Sequence, residues 1–138
     1  VREARFGRAL ALVLAGLYTE AKAHLEQSLE VMPEDLQIRH LLARLLATCP
    51  TDAVRDGERA LVLAKQVMSR ETDLEHARTV AMALAELGRF SDAISLQRQV
   101  IEWTQTFGSP ELVTVLRSDL ALYEQQRAVR APWEAGGD

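Results

Sequence analysis

Three histidines, one cysteine and a stripe of arginines are the side chains best suited to chemistry in this sequence. His24, His40 and His76 could ligate a metal or relay a proton, but neither a second histidine nor a carboxylate set recurs at ligand spacing around them. Glu75 and His76 are neighbours, which alone is ordinary on a helix surface. Cys49 stands alone, which excludes an internal disulfide and a thiolate cluster, and a free cysteine usually behaves as a small buried hydrophobe. Arg2, Arg5 and Arg8 recur at three-residue steps. Guanidinium groups so placed could clamp a carboxylate. An ordinary solvated or inter-repeat face is the reading adopted for them. Gly136-Gly137 reads as a frayed terminus and not as a phosphate cradle. No catalytic residue, cofactor or metal is therefore expected.

The elements that position these side chains follow from composition. The chain has 138 residues, 48% of them hydrophobic, with 7 glycines and 4 prolines, as one globular domain requires. Alanine, leucine and valine supply most of the apolar share, a bias toward closely packed helices. The net charge is −4 with no basic block, which argues against nucleic acid as a partner. The longest apolar run, Ala9 to Leu17, is too short to span a bilayer, so no membrane insertion is expected. The chain opens on Val1 without a signal-peptide pattern. It reads as a piece of a longer protein, with the cytoplasm slightly favoured, and its alanine- and arginine-rich style as bacterial.

Internal similarity organises the rest. Gly16-Leu17-Tyr18-Thr19-Glu20-Ala21 matches Gly88-Arg89-Phe90-Ser91-Asp92-Ala93, with a degenerate copy at Arg55-Asp56-Gly57-Glu58-Arg59-Ala60. The alanines Ala21, Ala60 and Ala93 are 39 and 33 residues apart, which places a five-residue insertion around residues 48–52. Period and punctuation predict helices over about 2–15, 18–32, 34–48, 52–71, 73–87, 90–107 and 110–129. Gly16 and Gly88 act as left-handed stops, Thr72 and Glu75 sit at capping-box spacing, and Gly108-Ser109-Pro110 ends one helix and starts the next.

These residues resemble the tetratricopeptide repeat (TPR) family, whose helical hairpins repeat every 34 residues. Ala9, Gly16, Tyr18, Ala21 and Pro33 carry the likeness in the first copy, Ala43 and Ala60 in the second, and Ala81, Gly88, Phe90 and Ala93 in the third. The sequence departs from the pattern where Arg5, Arg39 and Ala77 replace the opening tryptophan, and where Thr72 and Gln105 replace the closing proline. The resemblance implies an all-α, right-handed solenoid of three hairpins (about 2–35, 36–73 and 74–107), a capping helix over 110–129 and a flexible tail over 131–138, with Trp133 docked on the last helix or in solvent. It also implies a non-catalytic scaffold that holds a protein or peptide in a concave groove. By that analogy the groove is lined by Glu3, Phe6, Leu10, Val13, Gln37, His40, Arg44, Glu75, Arg78 and Met82. The alternatives are an accessory region of a larger enzyme, such as a transferase, or self-association through the exposed ends of the stack.

Overall fold

The computed structural model describes residues 1–134; the predicted glycine pair Gly136-Gly137 and the rest of 135–138 lie outside the described residues. Seven α-helices and no strand occur among the described residues, so the protein is all-α. They are α1 (Arg2–Leu14), α2 (Tyr18–Val31), α3 (Leu36–Thr48), α4 (Gly57–Arg70), α5 (Leu74–Glu86), α6 (Phe90–Phe107) and α7 (Pro110–Glu124). None is long and apolar enough to cross a membrane.

Local side-chain chemistry sets where these helices begin. Asp35, Asp56, Asp73 and Ser109 each accept a backbone N–H from the first turn that follows, as N-caps do. Three predicted starts move accordingly. Helix α3 begins after Asp35 and not at 34. Helix α4 begins after Asp56 and not at 52, because residues 51–54 form a turn that buries Val54. Helix α5 is capped by Asp73; Thr72 instead donates to the Met68 carbonyl at 2.8 Å, so the predicted capping box does not form.

Three helices end in one geometry. At the end of α1 the Leu17 N–H reaches the Leu12 carbonyl and the Gly16 N–H reaches Val13; at the end of α5, Arg89 and Gly88 do the same to Leu84 and Ala85. The residue at the left-handed position is glycine in both, with φ of 79° and 77°. Helix α7 repeats the pattern, Arg127 to Leu122 and Gln126 to Tyr123, but with Gln126 at φ 58°. Helix α7 therefore stops at Glu124, short of the predicted 129. Gly57, read from sequence as a degenerate turn glycine, is instead the first residue of α4, where an added Cβ would lie 2.9 Å from Glu86 Cγ.

Each helix packs against the next in the chain, and α3 also packs against both α1 and α5. The recurring alanines make this possible. Ala9, Ala21, Ala43, Ala60, Ala81 and Ala93 are all 0% exposed, and a larger side chain at such a crossing overpacks by about 1–3 kcal/mol. Helix α5 is the central post, with every residue from His76 to Ala85 buried. A smaller cluster of Ala77, Val100, Ile101 and Leu116 seats α7 on α6. Beside it Arg78 Nε donates to Asp119 at 2.7 Å, an ion pair buried on both sides that joins α5 to α7.

The segment after α7 does not form the free tail expected from sequence, at least through residue 134. It turns back to the ends of α3 and α5 and the start of α2. Arg130 pairs with Glu86 at the end of α5, and the Ala131 N–H donates to the Thr48 carbonyl at the end of α3. Trp133 packs against Tyr18 at the start of α2, ring centroids 5.7 Å apart. The indole thus docks on neither α7 nor solvent. Glu86 also holds Arg55 from the inserted loop at 2.9 Å, so insertion and strap meet on one carboxylate.

Two stability changes follow. Gly88→Ala, forced into the left-handed region, is expected to lower unfolding free energy by about 1 kcal/mol, whereas Gln126→Gly raises it by up to about 1 kcal/mol. Urea denaturation of the two variants checks the opposite signs. Trp133→Ala removes the anchor of the strap and is expected to lose roughly 1–3 kcal/mol, read from the shift in urea midpoint at unchanged slope.

Candidate functional site

Helices α1, α3 and α5 share one face, and a cleft of about 360 Å³ opens there. Phe6 comes from α1; Gln37, His40, Leu41 and Arg44 come from α3. Glu71 and Asp73 come from the α4–α5 junction, Glu75 and His76 from the first turn of α5. Phe6 and Leu41 are half-buried, packed on the core yet open to the cleft, so the floor is apolar and the α5 rim is acidic.

Five of the ten residues expected to line a groove meet here: Phe6, Gln37, His40, Arg44 and Glu75. Glu3 is exposed and Leu10 half-buried, and neither lines the cleft. Val13 and Met82 belong to the core at 1% and 0% exposure, because the helix turn that carries each faces the neighbouring helix. Arg78 is buried in its pair with Asp119. These last three are corrections to the predicted surface. The arginine stripe separates as well: Arg2 spans to Asp35 at 2.6 Å and to Gln37, Arg5 offers its carbonyl to His24 at 3.0 Å, and Arg8 is exposed. Arg2 thereby ties α1 to the start of α3.

The α3 side of the cleft is organised by one hydroxyl. Thr79 Oγ1 donates to the Glu75 carbonyl at 3.0 Å and accepts from Arg44 Nη2 at 2.7 Å. With its single proton so used, it accepts from His40 Nε2 at 2.7 Å. Arg44 also pairs with the Glu75 carboxylate at 3.0 Å and with its carbonyl. Burial pulls the Arg44 guanidinium below its ordinary range, and the Glu75 charge opposes this. Burial, then the charges of Arg44 and His76, lower His40 to about 4, against the weaker pull of Glu75 and Asp73. His40 is accordingly neutral at pH 7.

Glu71, Asp73 and His76 were not singled out as lining residues from sequence, although the period held part of the signal. His40 and His76 lie about one repeat apart on adjacent first helices, and their rings meet edge-to-face at 4.7 Å. A second surface flanks Asp73 on its other side. Met68, Leu74, Leu96, Val100 and Trp103 line an apolar groove there, and Trp103 (51% exposed) packs on the still more exposed Phe107. Deeper in, Tyr123 is fully buried beside the Arg78–Asp119 pair, and burial followed by the Asp119 charge pushes its phenol well up.

No protein-family model, curated protein or solved structure matches this chain.

His40 makes stability depend on pH. The unfolded chain takes up a proton near the ordinary value of 6.5, whereas the folded chain does so only near 4. Between those values the unfolded state binds more protons, so stability present above pH 6.5 is lost as pH falls toward 4, by roughly 3 kcal/mol. Urea midpoints at pH 7 and pH 4.5 are expected to differ less for His40→Gln than for the parent chain.

Proposed function

We propose that this chain is a stack of TPR-like hairpins, and that it works as a protein–protein interaction module, not as a catalyst. Three features support the hairpin reading: the shared stop at the ends of α1 and α5, the six fully buried alanines at recurring positions, and the packing of α3 on both α1 and α5. A hairpin of this kind exposes an apolar face that only its neighbour covers, which is how such arrays build a continuous inner surface.

The observation that carries the binding reading is the cleft itself. An apolar floor of Phe6 and Leu41 lies beside Glu71 and Asp73, whose carboxylates have no arginine or lysine partner among the described residues. That combination suits a peptide or protein segment with an apolar side chain next to a lysine or arginine. The apolar group would be taken from water at about 25 cal/mol per Å², while the acidic rim would select the neighbour's charge. Arg44 is part of the frame, because it holds Thr79 and Glu75 from inside.

Panning a displayed peptide library on the 138-residue chain tests this reading. Selected peptides are expected to pair an apolar residue with a basic one. Fluorescence polarisation should show about tenfold weaker binding to Phe6→Ala and weaker binding at higher salt. Peptides held equally well by Phe6→Ala, or no enrichment at all, would remove the cleft as the binding surface.

A further inference from the structure

We propose that the cleft is one of two anchor points, and that the apolar groove on the other side of Asp73 takes a second side chain of the same protein segment. The inference rests on the cleft as a peptide surface and names its ligand more closely: a lysine or arginine standing between two large apolar residues. The groove has a volume of about 340 Å³, within the roughly 300–1,000 Å³ of ligand pockets. Met68 from α4, Leu74 from α5, and Leu96, Val100 and Trp103 from α6 line it. Trp103 is 51% and Phe107 71% exposed, with their rings 5.3 Å apart. Two adjoining aromatics left in water beside an apolar lining form the kind of patch that marks a contact surface. Tryptophan is also among the residues that most often anchor such contacts.

Asp73 decides what the occupant must be. It is the one residue that lines both cavities, and it is the only charged residue lining the groove. Its Oδ1 accepts the His76 backbone N–H at 2.9 Å, so the N-cap bond of α5 holds the carboxylate between the two apolar floors. Glu102, exposed beside Trp103 on α6, adds negative charge on the groove side and has no ion-pair partner among the described residues. Two apolar floors separated by a fixed negative charge complement a segment that reads apolar, basic, apolar. Two anchors on one segment also reinforce each other, because seating the first raises the effective concentration of the second. A second copy of this chain fits less well, since a two-fold contact through the groove would bring two acidic borders together.

Panning a displayed library with one fixed lysine and randomised flanks tests the two anchors, using the 138-residue chain and its Trp103→Ala and Phe6→Ala variants. The parent chain is expected to select large apolar residues on both sides of the lysine. Trp103→Ala should lose that preference on one side and Phe6→Ala on the other. A peptide selected by the parent should bind each variant about tenfold more weakly in fluorescence polarisation. Asp73→Asn, which keeps a capping side chain, should bind that peptide and its lysine-to-glutamine counterpart alike. In a Trp133→Phe background the emission of Trp103 should move to shorter wavelength when the peptide binds, a readout that needs no change in the groove. Binding that is lost with Phe6→Ala but indifferent to Trp103→Ala, with unshifted emission, overturns the second anchor and leaves the cleft standing. Binding that is lost with Trp103→Ala alone removes the cleft and this proposal with it.

Discussion

The burial of α5 is the constraint on which the rest of the structure depends. A helix covered on every side must find partners all round, and α5 finds them in α3, α4 and α6 by packing and in α7 through the Arg78–Asp119 pair. Its composition allows this: alanine stands at positions 77, 81, 83 and 85, so neighbouring backbones approach closely. Two polar residues in the run, Arg78 and Thr79, are tolerated because each is engaged. A buried guanidinium without its carboxylate would be destabilising by several kcal/mol. The outer helices are consequently arranged around the needs of one inner helix.

The same constraint shapes the cleft. With Thr79 buried on the α3 side of α5, its hydroxyl has to be satisfied, and Arg44 and His40 are drawn in from α3 to do so. Arg44 then fixes Glu75. The α3 side of the cleft is thus built from within the core outward, and its side chains are held before any ligand arrives. Glu71 and Asp73 sit at a helix junction outside that network. The cleft combines a fixed wall with two exposed carboxylates that no arginine or lysine pairs among the described residues.

Much of this was legible in the sequence. The helix pattern, the long loop between α3 and α4 and the stops at Gly16 and Gly88 rest on local rules, periodicity and backbone sterics, which need no tertiary information. Helix starts were less legible where two capping residues competed. Thr72 and Asp73 are both good N-caps, and the choice of Asp73 follows from Thr72 bonding back to Met68. Val13, Arg78 and Met82 were misplaced because the family analogy assigns faces by register, while burial depends on how far each helix is rotated at its crossing. The strap was invisible for a different reason. Residues 125–134 have no period, and their partners, Thr48, Glu86 and Tyr18, lie far away in the sequence.

That strap changes the kind of folding problem the chain presents. A stack in which every unit touches only its neighbours behaves as a one-dimensional array, able to nucleate anywhere and to melt from either end. Here the Ala131 N–H closes on Thr48 and Trp133 on Tyr18, so residues 131 and 133 rest on the end of α3 and the start of α2. Such contacts raise the mean sequence separation of the native interactions and slow the search for them. In return, displacing the start of α2 releases Trp133 as well. Segments from near both ends of the chain belong to one cooperative unit.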